Sequence, residues 1–168
     1  QMQTITRIRP RNLVDMAYEV AAVRPGVGVN DGVTQFIRRR NGEPWGYDHP
    51  LERRALERTL GVPLFQDQFN QLAIDVAGFA PGQADQLRRA FTRRNSAALV
   101  ERLRAQFVQG ARGKGVPEAV AERIFEKMNG HYMFPESHAY AFGVTAFQMA
   151  WLKHYYPLEF FVAIFNQQ

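Results

Sequence analysis

The chain has 168 residues, of which 46% are hydrophobic and 13 are Phe, enough apolar mass for a packed core and too much for a disordered chain. It has no cysteine, which removes disulfides and thiolate metal sites and makes a reducing cytoplasm the expected compartment. The net charge is +5, no apolar run approaches the roughly 18 residues of a membrane span, and the opening QMQTITRIRPRN lacks the apolar stretch of a signal peptide, so neither membrane insertion nor export is expected.

Along the chain, proline recurs near helix starts and glycine after helix ends. Asn12 is placed to cap a helix running to about Val23 on Leu13, Met16, Ala17 and Val20, stopped by Arg24-Pro25-Gly26. GVGVNDGV reads as a glycine-rich turn into Val33, Phe36 and Ile37, followed by the basic triplet Arg38, Arg39, Arg40 and closed by Asn41-Gly42. GEPWGYDHP reads as a loop, and Pro50 opens a short helix ending at Leu60 with Gly61 at its C-cap. Phe65, Phe69, Leu72 and Val76 keep helical spacing as far as Gly78.

Pro81 starts a helix carrying Ala84, Leu87 and Phe91, which sets Arg88 and Arg89 beside its buried stripe. Leu99, Val100, Leu103 and Phe107 form a further stripe, after which GARGKG reads as a flexible basic loop. Pro117 begins a helix with Val120, Ala121, Ile124, Phe125 and Met128, ended by Asn129-Gly130. Ser137 is the expected cap of the long helix after it, and Pro157 starts a last one with Leu158, Phe161, Val162 and Phe165. No segment alternates with a period of two and no repeat is visible, so the expected class is all-α. The expected organisation is one helical domain over 1–168, with any subdivision near the 42–50 loop and the 110–117 loop. The start at Gln1 and the apolar close FFVAIFNQQ read as those of a segment of a longer polypeptide.

The chemical candidates narrow quickly. HYMFPESHAYAFG, residues 131–143, holds His131 and His138 seven positions apart across a proline, with neither an HExxH motif nor a cluster of facing carboxylates, which disfavours a metal site. Glu136, Ser137 and His138 are sequence neighbours at a helix start and do not face one another, so a hydrolytic triad is disfavoured too. The aspartates 15, 31, 48, 67, 75 and 85 are scattered, and none forms the close pair that two-metal phosphoryl transfer uses.

Phosphate binding remains. Between Gln86 and Gly115 the chain has Arg88, Arg89, Arg93, Arg94, Arg102, Arg104, Arg112 and Lys114 against Glu101 alone, a local balance of +7 that leaves the rest near neutral. Arginine makes bidentate, permanently charged contacts to phosphate oxygens, although a solvated helical face gives the same pattern. Tyr132, Phe134, Tyr140 and Phe142 could stack on bases, but their helical spacing favours core packing.

Three stretches, RPGVGVNDGVTQFIRRRNG, LGVPLFQDQFNQLAIDVAGFAPGQADQLRRAF and MFPESHAYAFGVTAFQMAWLKHYYPLEFFVAIFNQQ, resemble in order and over almost the whole chain the fingers region of bacterial C-family DNA polymerases, the polymerase III alpha subunit and its relatives. The resemblance implies a multi-helix fingers domain that grips the incoming dNTP and the primer/template DNA, while Mg2+ is bound by palm aspartates upstream. It places Arg88 and Arg89 of ADQLRRA on the triphosphate, with Arg24 of the RPG motif and His138 of ESHA near the nucleotide pocket. Arg38, Arg39, Arg40, Arg93 and Arg94 then match DNA-backbone or triphosphate contacts. Gln66 and Gln68 of LFQDQ fall in a family motif, but spacing assigns them no role.

FPESHA stands where replicative members read FNKSHA or FNRSHA, and with LGVPLFQDQ and FNQQ it is similar to the error-prone, damage-tolerant branch. Val27 where the family usually has Pro, Met133 where Gly is usual, and FTRRNSAALV in place of a Lys-rich segment depart from the pattern. The implied parent is a cytoplasmic DNA-directed DNA polymerase for translesion synthesis, with a sliding clamp and accessory proteins reached through other domains and no membrane partner. The alternatives are a replicative alpha-subunit fingers domain, a stand-alone helical nucleic-acid-binding module, and a docking surface for polymerase accessory factors.

Overall fold

In the computed structural model, which describes residues 6–22, 32–92, 96–128 and 134–167, Asn12 caps the first long helix as its side chain suggests. Its Oδ1 accepts from Asp15 N at 2.9 Å, satisfying one of the orphan donors of α1 (Leu13–Ala22). There follow α2 (Gly32–Arg40), α3 (Arg53–Leu56) between 3-10 turns Pro50–Glu52 and Glu57–Thr59, α4 (Gln66–Ala77), α5 (Pro81–Thr92), α6 (Ala97–Gly113), α7 (Glu118–Met128), α8 (Glu136–Tyr155) and α9 (Pro157–Phe165). Among the described residues the β pairing is a single isolated parallel bridge, Phe65 to Phe134, so the all-α class holds.

The contacts divide the chain into two compact units, one of Gln1–Val23 with Glu136–Gln168 and one of Arg24–Pro135. The 42–50 and 110–117 segments both lie inside the second unit.

In the second unit α4 is central, with Phe69, Leu72, Ala73 and Val76 fully buried against α5 and α6. Phenylalanines continue that core: Phe69 lies 5.3 Å from Phe91, Phe125 5.5 Å from Phe107 and Phe107 6.0 Å from Phe79, each edge to face, and Phe91 lies tilted 5.5 Å from Phe125, centroid to centroid. Each such pair adds about 0.5–1.5 kcal/mol beyond the area it buries. Gln68 is 1% exposed and fully satisfied. Its Oε1 accepts from Leu64 N and Phe65 N at 2.9 and 3.0 Å, and its Nε2 donates to Ala55 O and Thr59 Oγ1 at 2.9 and 2.7 Å. It therefore closes the α4 N-terminus from the N3 position and ties it to α3.

The segment GARGKG, expected as a flexible loop, is helix up to Gly113, and only Lys114 and Gly115 form a turn. Helix α6 runs on through Gly110, Ala111 and Arg112 to Gly113, and Val116 N bonds back to Ala111 O at 3.0 Å. A Cβ at Gly110 would lie 2.1 Å from the Ala77 carbonyl oxygen, so this glycine is there because α4 and α6 touch backbone to backbone. Glycine costs a helix interior about 1 kcal/mol relative to alanine, and the close approach of two buried helices offsets it. Lys114, just beyond, donates to the Ile74 and Asp75 carbonyls at 3.1 and 2.7 Å and closes the C-terminus of α4.

Two helix ends also differ from expectation. The turn after α3 puts Leu60 itself in the left-handed region at φ 54°, with Gly61 following at φ 77°, because the Leu60 N–H turns back to Glu57 O. Helix α8 begins at Glu136, so Ser137 stands in its first turn instead of ahead of it, and Glu136 supplies the negative charge that suits a helix N-terminus. The expected end at Asn129-Gly130 lies outside the described residues.

The loop before α3 is anchored by charge. Glu52 is fully buried; its Oε2 accepts from Asp48 N at 2.7 Å, while Lys127 Nζ of α7 reaches Glu52 Oε1 at 2.6 Å and Asp48 Oδ2 at 2.5 Å. Burial pushes the Asp48 carboxyl up, but the hydrogen bond and charge of Lys127, then those of Arg123, outweigh it and hold the group below its ordinary value.

In the first unit α1 packs on α8 through small side chains. Ala17 and Ala139 are fully buried, and a Cβ at Gly143 would sit 3.1 Å from Ala17 N. Beyond that contact α8 and α9 are open: Phe142, Phe147, Trp151, Leu158, Phe161 and Phe165 are all exposed. The stripe on α9 has the spacing read from the sequence, yet it is not core within these residues. Glu19 on α1 is 7% exposed, and burial raises its carboxyl pKa.

Candidate phosphate-binding site

In PGQADQLRRAFT the apolar positions Ala84, Leu87 and Ala90 form the buried stripe of α5. Positions 85, 88 and 89 follow at i, i+3 and i+4 on the adjoining face, where helical geometry brings side chains together. Asp85 Oδ1 accepts from Arg88 Nε at 2.9 Å and from Arg88 Nη2 at 2.6 Å, and Asp85 Oδ2 accepts from Arg89 Nε at 2.7 Å. Gln66, the first residue of α4, meets Arg88 Nη1 through Oε1 at 3.4 Å, and the Gln66 backbone N–H bonds to Phe134 O at 3.1 Å. The bridge to Phe134 thus fixes the residue that steadies Arg88.

The two arginines are not equivalent. The Arg88 side chain is 20% exposed and held from both sides, whereas that of Arg89 is 62% exposed and held at Nε. The hydrogen bond from Arg88 is the main cause that keeps the Asp85 carboxyl below its ordinary value; a smaller upward push from burial opposes it, and the charges of both arginines add to it. The three groups together have a net charge of +1, with planar N–H donors at the surface, an arrangement that accepts an oxyanion.

Much of the remaining positive charge of residues 86–115 is engaged internally. Arg104 bonds Glu122 at 2.7 Å and Arg112 bonds Glu118 at 3.2 Å, joining α6 to α7, and Lys114 closes α4. These pairs line a cleft of about 610 Å3 in which carboxylates face the arginines, so it has little field for an anion.

Of the other residues singled out, Arg39 Nη1 donates to Leu60 O at 2.7 Å, and its head lies against Gly61, where a Cβ would come within 2.9 Å of it. Arg38 is exposed and Arg40 half-buried, both at the end of α2. Arg24, Arg93 and Arg94 lie outside the described residues, as do His131 and Tyr132. His138 belongs to the first unit, exposed, with its ring 4.4 Å from that of Phe142 at 62°. Phe134 is buried at the bridge, Tyr140 is half-buried and Phe142 is 52% exposed. Among the described residues no three His, Asp or Glu side chains gather as metal ligands, and no helix is long and apolar enough to cross a membrane.

Spacing did not single out Asp85, although an acid three and four positions before two arginines in a helix is a legible signal. Nor did it assign Gln68, whose place three residues after the α4 N-cap is the capping-box position.

The family model for the finger domain of the bacterial DNA polymerase III alpha subunit matches residues 1–115. The error-prone DNA polymerase of Corynebacterium jeikeium is 45% identical over 172 residues, covering 100% of this chain and 15% of that protein. That of Mycobacterium tuberculosis is also 45% identical over 172 residues, covering 100% of this chain and 16% of the relative. That of Vibrio parahaemolyticus is 43% identical over 171 residues, with 100% and 17% covered. The chain therefore spans about one sixth of the length of these relatives.

Proposed function

This chain belongs to the finger-domain family of the bacterial DNA polymerase III alpha subunit, and from that premise we propose that it serves a DNA-directed DNA polymerase by binding the triphosphate of the incoming dNTP and the primer/template DNA. The observation that supports this most directly is the Arg88–Asp85–Arg89 group on α5, two guanidiniums drawn side by side by one carboxylate and braced by Gln66. A triphosphate spreads negative charge over several oxygens, and paired planar donors neutralise it as the chain of charge shifts during nucleotidyl transfer.

In this reading Arg38, Arg40, Arg93 and Arg94 follow the DNA backbone, Arg24 and His138 stand near the nucleotide, and Arg39 helps to hold the turn at Leu60. Mg2+ belongs to a palm domain outside these residues, so nucleotidyl transfer itself is assigned to that domain. The names of the relatives and the FPESHA sequence support a parent polymerase of the error-prone branch; in this reading it works across lesions and engages clamp and accessory partners through its other domains.

Primer extension by the full-length parent tests this. Arg89→Ala is expected to raise the KM for dNTP at least tenfold, while the affinity for primer/template changes by less than about threefold. An unchanged nucleotide KM in both Arg88→Ala and Arg89→Ala removes the triphosphate role.

A further inference from the structure

We propose that Asp85 is a positioning residue for nucleotide binding: its carboxylate sets the spacing of the two guanidiniums and presents Arg89 to the triphosphate without touching the nucleotide. This rests on the triphosphate reading of Arg88 and Arg89.

The contacts form a chain with a direction. Gln66 at the start of α4 meets Nη1 of Arg88. Arg88 grips Asp85 Oδ1 with Nε and Nη2, and Asp85 Oδ2 takes Nε of Arg89. Arg88 thus has all three of its nitrogens in intramolecular contacts and a side chain only 20% exposed, which suits an anchor. Arg89 is tethered at Nε, leaving its end-on pair, Nη1 and Nη2, outside that contact on a side chain 62% exposed. The end-on pair is one of the edges by which a guanidinium binds a phosphate with two parallel hydrogen bonds.

A carboxylate beside two arginines could act in two opposite ways. As an anion it could compete with the phosphate, in which case its removal tightens nucleotide binding. As a tether it removes rotamers that a long, flexible arginine would otherwise lose when the nucleotide arrives, in which case its removal weakens binding. The geometry favours the tether. Asp85 lies a turn before the arginines on the same helix, where side chains lean back toward the N-terminus, and it takes the side of Arg89 while leaving the end.

The experiment is steady-state dNTP incorporation by the full-length polymerase carrying Asp85→Asn, Asp85→Glu, Arg89→Ala, and Asp85→Asn combined with Arg89→Ala, all with matched thermal midpoints. Asp85→Asn is expected to raise the nucleotide KM about tenfold with kcat within about twofold, and Asp85→Glu to recover most of that loss. On the Arg89→Ala background, Asp85→Asn is expected to add almost nothing, because its effect passes through Arg89. A KM for Asp85→Asn that falls or stays unchanged while Arg89→Ala raises it overturns the tether and leaves the triphosphate reading standing. An equal effect with and without Arg89 overturns it as well, by making the loss a general one. If Arg89→Ala itself leaves KM unchanged, the role of Asp85 fails, and the triphosphate reading fails with it when Arg88→Ala leaves KM unchanged too.

Discussion

Phe107 and Phe165 are the same side chain in two unlike settings. Phe107 in the second unit is 0% exposed, enclosed by Phe79, Phe125 and the neighbouring helices, while Phe165 in the first is 76% exposed on α9. The contrast extends to whole helices. In α4, apolar residues take one stripe and the stripe is buried; in α8, Phe142, Val144, Phe147, Met149, Trp151 and Leu152 face outward in several directions. A helix apolar on most of its faces is normally enclosed, so α8 and α9 have a composition whose apolar side chains stand exposed among the described residues. The acids differ in the same sense: Asp48 in the second unit is held below its ordinary pKa by paired cations, and Glu19 in the first is raised by burial. One unit has found partners for its apolar and its charged groups, and the other has found fewer.

Substitutions can break this contrast, and the largest effect belongs to the enclosed phenylalanine. Phe107→Ala is expected to cost about 3–5 kcal/mol in urea unfolding of the 168-residue chain, since it removes contacts and leaves a cavity. Lys127→Met comes next, at about 3 kcal/mol, because it strands the fully buried Glu52. The Asp48 contribution has a defined pH window: a lowered folded pKa gives stability that is present above the ordinary value and lost as pH falls through the acid range. Acid titration should therefore weaken the wild-type chain more steeply than Asp48→Asn.

Glu19→Gln is expected to do the reverse, raising stability at neutral pH by less than about 1 kcal/mol. A raised folded pKa means that the charged form opposes folding, so the gain should vanish as pH falls below the carboxylate range. The smallest effect falls to Phe165→Ala, expected within about 0.5 kcal/mol of wild type in the same unfolding measurement. A cost comparable to that of Phe107→Ala would mean that the two settings are not different after all.

The helical class, the starts at Asn12 and Pro81 and the stop at Gly78 were legible because caps and prolines act locally. The face shared by Arg88 and Arg89 was legible for the same reason. Gly110 was misread because a glycine that permits two helices to touch looks, in sequence, like one that ends a helix. The exposure of Leu158, Phe161 and Phe165 was not legible either: periodicity gives a stripe but not what covers it. Within the basic segment, composition counted Arg104, Arg112 and Lys114 equally with Arg88 and Arg89. Only three-dimensional pairing with Glu122, Glu118 and the α4 carbonyls separates the structural cations from the others.

The backbone contact between Gly110 and Ala77 also sets the mutational tolerance of the second unit. Each substitution at position 110 adds at least a Cβ where there is no space for one, so the codon is closed to change. The neighbouring helical glycine, Gly113, meets nothing within 4 Å of such a Cβ and is open to it. In a saturation library of the segment spelled GARGKG, position 110 should emerge as depleted as any residue of the phenylalanine core, and position 113 should accept alanine with a gain.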